Sequence, residues 1–274
     1  MKIGLHRGFL VLGLMAGLAG CAAKEEAARS LPQAGVPGYG AVEDGDITVP
    51  AVDPQYLVEP NRKAEVVYNG EEGPGTVVVD PFAKFLYLVG EGGTATRYPV
   101  AVGREGKGFR GHGVIKRKVE WPGWTPTANM LRSEPEIYGP FARGIPGGVA
   151  SPLGARALYL YRGKRDTHYR IHGTNDLESI GNANSAGCIR MFNQDIIELY
   201  EKVPMGTDVV VRSYDESVAL EGEEMANRGV ELPPKQVDPE VIYAAVDAEK
   251  ERRAAKRAEA ATAALEGDEV KIVE

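Results

Sequence analysis

Apolar and polar positions alternate in short blocks through the middle of the chain. AEVVY (64–68), TVVVD (76–80), KFLYLVG (84–90) and RYPVAVG (97–103) are brief, β-branched or aromatic, and bounded by Gly, Pro or Asp, the pattern of strands in quick succession. ALYLYRGKRDTHYRIHG (157–173) reads as a hairpin turning at Gly163-Lys164, in which period 2 sets His168, Arg170 and His172 on one polar face. The period then changes. Ile196, Leu199, Tyr200 and Val203 recur at helical spacing behind Asn193, a capping residue, until Pro204 stops them. TDVVVRS (207–213) closes the pattern as a last strand, so the expectation is a mainly β domain with one short helix.

Residues 121–154 follow neither period and hold six prolines and six glycines. A loop that long inside a compact domain is usually a lid or a cleft wall. Residues 21–60 are rich in Ala, Gly, Pro and acidic residues without an apolar period, which predicts a flexible tether, and 61–75 lead into the strands. Beyond Tyr214 the chain turns charged. From Asp238-Pro239 onward it offers Ala, Glu, Lys and Arg with few large apolar residues, so 214–274 is expected to be a solvated helix or a partly disordered tail.

The first twenty residues differ in kind: MKIGLHR carries two cations, and GFLVLGLMAGL is too short to span a bilayer. LAGC (18–21) then resembles a bacterial lipobox, which implies a lipoprotein signal peptide over 1–20, diacylation of Cys21 and a lipid anchor in a membrane. Ala22 stands where an inner-membrane retention aspartate would be, so the expected place is the periplasmic side of the cell envelope, at the outer membrane in a Gram-negative source. A formal charge of −7 argues against a nucleic-acid partner.

Cysteine is scarce, and this directs attention to IHGTNDLESIGNANSAGCIRM (171–191). With Cys21 lipidated, Cys188 is the single free thiol of an exported chain, either a small buried hydrophobe or a nucleophile. His172 could accept its proton, and Gly187 lets the backbone turn so that N–H groups point at a developing oxyanion. Spacing alone leaves both readings open.

Two other patterns compete. GKGFRG (106–111) satisfies G-x-G-x-x-G, but strand and turn signals follow it, with no helix to receive a phosphate. His168 and His172 with Cys188 or Asp176 could hold zinc, yet no Cys-x-x-Cys or His-Glu-x-x-His accompanies them. No metal and no cofactor is expected. Trp121 and Trp124 could stack on sugar or simply pack the loop, and His112 carries no signal beyond its glycine-rich turn.

IHGT followed by SAGCIRM, with FLYLV, YPVAVG, WTPTANM and SPLGARALYLY upstream, resembles the L,D-transpeptidase catalytic domain, the YkuD family, over residues 76–213. The order HGT, then S-x-G-C-I-R, is similar to its Gram-negative subgroup. The resemblance implies a β-sandwich with a short helix after Cys188. It implies that Cys188 is the nucleophile, His172 the general base, and Gly173 the carbonyl that fixes the imidazole tautomer. Ser185, Gly187 and the Cys188 N–H would frame the oxyanion site, with Arg190 meeting a substrate carboxylate or bracing the loop. Ala186 replaces a histidine that many relatives carry, and a Thr-Pro usual in the glycine-rich turn is absent.

The implied substrate is a peptidoglycan tetrapeptide stem, cut between diaminopimelate and D-alanine. The acceptor would be the amine of a second stem, giving a 3-3 crosslink, or of an outer-membrane protein. Water as acceptor would make the protein a carboxypeptidase, and an unreactive thiol would leave a peptidoglycan-binding lipoprotein. Metabolic labelling with a palmitate analogue should mark the intact chain and lose the mark in Cys21→Ser. A soluble mature form starting at Ala22 or later would overturn the lipid anchor.

Overall fold

In the computed structural model residues 36–104 and 108–271 are described, with side chains to 264. The leader, Cys21 and part of the 106–111 glycine motif lie outside them. Thirteen strands appear among the described residues: β1 (Val42–Asp44), β2 (Ile47–Val49), β3 (Ala64–Val67), β4 (Val77–Asp80), β5 (Phe85–Val89), β6 (Thr94–Pro99), β7 (Val102–Gly103), β8 (Gly111–Glu120), β9 (Arg156–Arg162), β10 (Arg165–His172), β11 (Ala183–Ser185), β12 (Ile189–Arg190) and β13 (Asp208–Val211). Nine of them make one mixed sheet in the order β12-β10-β9-β8-β13-β4-β5-β6-β3. The architecture is mainly β, as expected. Gly111 opens β8, so the glycine motif runs into a strand and not into a helix.

The sheet is covered on both faces, and β4 shows why its sequence is continuously apolar. All four of its residues are buried. Val77 and Val79 join Leu86, Leu158, Leu160, Ile171 and Ile189 on one face, while Val78 joins Phe85 and Tyr87 on the other. Alternate residues of one strand thus feed two cores.

Loop 121–154 contains two short helices, α1 (Ala128–Ser133), capped by Thr127, and α2 (Pro135–Tyr138). The predicted helix is α3 (Asn193–Lys202), whose Ile196 and Leu199 enter the main core. Asn193 does not cap it. Phe192 takes the cap position with extended backbone, and the Asn193 side chain accepts from Ala155 N–H at 2.9 Å and donates to the Thr174 carbonyl at 3.1 Å. It ties the start of β9 to the chain leaving His172.

One expectation for the flanks is corrected and one is refined. Residues 36–60 are not a free tether: β1 and β2 form a hairpin, and Tyr39, Val52 and Leu57 pack with Ala101, Ile180 and Phe192. Asp44 receives both Nη groups of Arg156. The composition suggested disorder because these apolar residues are sparse and find their partners only on a surface built elsewhere.

The tail is helical and largely exposed, one of the two outcomes expected for it, but it is anchored to the domain at several points. After α4 (Tyr214–Glu221) and α5 (Glu223–Ala226), the long α6 (Pro239–Lys271) lies against the 139–150 region. Its Glu249 is 6% exposed and accepts the Val149 N–H at 2.8 Å, and its Tyr243 hydroxyl donates to the Gly144 carbonyl at 3.1 Å. A few polar anchors, invisible to an apolar period, hold this helix.

Asn193→Ala should lower the unfolding free energy by about 2 kcal/mol, because it strands a buried N–H and a buried carbonyl. Urea denaturation checks this, and an unchanged midpoint would show that the bridge is dispensable.

Candidate active site

β10 is irregular in its middle, and the irregularity lies at the cleft. Pairing with β9 shifts register between Asp166 and Arg170, and His168 adopts φ 62°. The strain is held locally: His168 N–H donates to Asp166 Oδ1 at 2.8 Å, and both Arg170 Nη groups donate to the same carboxylate at 2.7 and 2.9 Å. The bulge breaks the period expected for His168, Arg170 and His172. The His168 side chain is exposed, whereas its carbonyl faces Cys188 Sγ at 4.0 Å.

His172 is only 3% exposed, and its Nδ1 lies 2.5 Å from the Gly173 carbonyl oxygen. A carbonyl can only accept, so Nδ1 carries the proton and Nε2 keeps a lone pair. Gly173 must be glycine. A Cβ there would sit 2.2 Å from Asn193 Oδ1 and 3.0 Å from the Ala155 nitrogen.

β12 brings the thiol to this histidine. It pairs in parallel with β10, Ile171 opposite Ile189 and His172 opposite Arg190, so Cys188 enters directly beside the end of β10. The turn before it is closed by Ser185, whose Oγ donates to the Cys188 carbonyl at 2.6 Å and accepts the Gly187 N–H at 3.0 Å. Gly187 has φ 138°, a conformation open to glycine, and its Cα is where a Cβ on Gly103 would come within 2.8 Å. The expected use of the Gly187 N–H toward an oxyanion is therefore corrected: Ser185 already holds that hydrogen.

Arg190 braces the loop. Its Nη1 donates to Asn184 Oδ1 at 2.7 Å and to Asp176 Oδ2 at 3.3 Å, and Asn184 Nδ2 donates to the same Asp176 oxygen at 3.2 Å. Asp176 is the hub of this network, and nothing in its local sequence marks it as such.

Cys188, His172, Arg190 and Ser185 line one cavity of about 600 Å³. Its opposite wall comes from the 121–154 loop, where Trp124 packs near Tyr138 and Phe141. Trp121 points elsewhere, its indole N–H bonded to Asp44 at 2.7 Å. A third side, absent from the sequence expectations, is the tail: Pro234, Lys235, Val237 and Ile242 also line the cavity.

Burial dominates the protonation of the pair. It pushes His172 down to about 3, helped by the Arg190 charge and opposed by the bond to Gly173. Burial pushes the Cys188 thiol up, opposed first by the Arg170 peptide N–H and then by the Arg170 and Arg190 charges. Both shifts favour the neutral forms, thiol and imidazole, in the free protein. An imidazolium that keeps the thiolate populated at neutral pH is not what this environment favours.

A Cys-His pair in a walled cleft, with the imidazole tautomer fixed by a backbone carbonyl, suits acyl transfer. The chain belongs to the L,D-transpeptidase catalytic domain (YkuD) family, whose sequence profile matches residues 74–211. It is 34% identical over 182 residues to the "Probable L,D-transpeptidase YbiS" of Escherichia coli, covering 65% of this chain and 54% of that one. A candidate L,D-transpeptidase encoded in the ATP synthase region of Fuscovulum blasticum is 37% identical over 141 residues, covering 51% of this chain and 70% of that one. A solved chain from Brucella melitensis, described as a probable carnitine operon oxidoreductase, shares 46% identity over 58% of this chain and 98% of its own, with a TM-score of 0.39. The chain spans about half the length of YbiS.

The sign of the His172 effect on stability follows from its lowered folded value. The unfolded imidazole takes up a proton below 6.5 and the folded one only near 3, so stability is complete above 6.5 and is lost as pH falls between the two. His172→Gln should lose less stability than the parent between pH 7 and pH 4 in paired urea titrations. Equal losses would mean that His172 is not buried in its neutral form.

Proposed function

We propose that this protein is a peptidoglycan L,D-transpeptidase with Cys188 as its nucleophile. The observation that supports this most directly is the His172 tautomer: with Nδ1–H on the Gly173 carbonyl, Nε2 is left to take a proton inside the cleft that Cys188 lines. As Sγ attacks the carbonyl between diaminopimelate and D-alanine, Nε2 removes the thiol proton, and negative charge develops on the carbonyl oxygen. With the Gly187 N–H bonded to Ser185, the Cys188 N–H is the donor we assign to that oxygen. Collapse breaks the C–N bond, the leaving D-alanine nitrogen takes the proton from the imidazolium, and a thioester remains.

An acceptor amine then attacks the thioester, His172 takes the amine's proton, and the departing sulfur recovers it as a thiol. The acceptor we assign is the amine of a second stem or of an outer-membrane protein. Charge separation between sulfur and ring occurs only once substrate fills the cleft, in keeping with the neutral resting pair. We place the protein in the periplasm, held at the envelope through a lipidated Cys21, on the strength of LAGC at 18–21.

Whole-protein mass spectrometry tests the nucleophile. A carbapenem should add once to the parent and not at all to Cys188→Ser, and peptide turnover should fall on the order of a thousandfold or more in the variant. Iodoacetamide that labels Cys188 only after unfolding would sink the enzymatic reading. Loss of 3-3 crosslinks, or of protein-linked stems, from a deletion strain's muropeptides distinguishes the two acceptors.

A further inference from the structure

The tail leaves the family-matched region at 211 yet returns to the cleft, and it is fixed there by backbone bonds. Ala183 N–H donates to the Val230 carbonyl and Leu232 N–H to the Ala183 carbonyl, both at 2.9 Å, while Val230 N–H donates to Asn182 Oδ1 at 3.0 Å. Residues 230–232 thereby join β11, the strand that leads to Ser185 and the nucleophile turn. Beyond them, Tyr243 and Glu249 pin α6 to the 139–150 region. Residues 233–238 are therefore held at both ends, across one side of the cavity.

Among the described residues that line this cavity, three carry a positive charge: Arg170, Arg190 and Lys235. A peptide substrate ending in carboxylates needs at least one of them, and their present engagements differ. Arg170 gives both Nη groups to Asp166 at normal hydrogen-bond lengths and lies 4.0 Å over the Tyr159 ring. Arg190 is the brace between Asn184 and Asp176, and withdrawing it would open the loop behind Cys188. Lys235 is different. Its ammonium sits 3.2 Å from Asp176 Oδ1 and 3.8 Å from Glu178 Oε2, and its side chain is 55% exposed. Exposed ion pairs of that kind contribute little, so exchanging one carboxylate for another costs little.

We propose that Lys235 is a substrate-binding residue supplied by the tail, whose ammonium receives a carboxylate of the peptide at the cleft mouth. The proposal rests on the peptide-substrate reading above. It assigns carboxylate recognition to a residue outside the catalytic domain, and it leaves Arg190 as a brace. Asp176 couples the two, one oxygen on Arg190 and the other on Lys235.

The test reads binding apart from chemistry. In the full chain carrying Cys188→Ala, calorimetry measures the affinity for a synthetic tetrapeptide stem and for the same peptide with its carboxylates amidated. Lys235→Ala should weaken the free-acid peptide about tenfold, the scale of one lost charge-assisted hydrogen bond, and leave the amidated peptide unchanged. Lys235→Arg should hold affinity within about threefold. Equal binding of the free acid with and without Lys235→Ala, or an equal loss for both peptides, would reduce the residue to a latch on Asp176 and overturn the proposal. If this pattern appears while the parent fails to turn the peptide over, carboxylate recognition stands and the transpeptidase reading falls. No binding of either peptide to the Cys188→Ala chain would remove both.

Discussion

The site depends on one very short parallel ladder, Ile171 and His172 of β10 against Ile189 and Arg190 of β12. Two residues of parallel pairing would not hold on their own. They hold here because both sides are secured. Met191 N–H donates to the His172 carbonyl at 2.9 Å, and Arg190 exchanges both backbone bonds with Ala101 at 2.8 and 2.9 Å. Ile171, Ile189 and Met191 are nearly fully buried. The ladder brings Cys188 and His172 to one cavity from neighbouring strands, and what surrounds it, from the Ser185 turn to the Asn193 bridge, keeps that register.

The same burial that fixes the register sets the chemistry. Moving His172 from 6.5 to about 3 corresponds to a protonation cost on the order of 5 kcal/mol. The thiolate would need its own desolvation cost met as well, since burial raises Cys188 too. The neutral pair therefore wins in the free protein.

Parts of this were legible because their signals are local. The strands carry β-branched runs between turn residues, and Cys188 stands out by scarcity, with His172 at the end of a readable hairpin. The loop rich in Pro and Gly is a cleft wall, as its length and composition suggested. The misreadings share a physical cause: they concern residues whose partners are distant. Asn193 resembles a cap but bridges Ala155 and Thr174. Tyr39 and Leu57 looked like stray apolar residues in a tether until Phe192 and Ile180 gave them a surface. The His168 bulge depends on a tight Asp166-Arg170 pair that period 2 cannot reveal.

The two segments that composition assigned to the periphery meet each other. Asp46, in the turn between β1 and β2, takes Arg253 at 3.2 Å and also Arg257 from α6, while Glu43 takes Lys256. The neighbouring Asp44 holds Arg156 at the start of β9 and the indole of Trp121 at the start of the cleft loop. The hairpin and the tail thus form a clasp behind the 121–154 wall, one arm tied to the catalytic sheet and the other crossing the cavity through Lys235 and Ile242. The contacts between hairpin and tail are partly exposed polar pairs of small individual worth. Their role is positional: they hold the hairpin and the tail against each other. Because both arms lie outside residues 74–211, two chains that share this catalytic domain can differ in cleft width and charge without a change at Cys188 or His172.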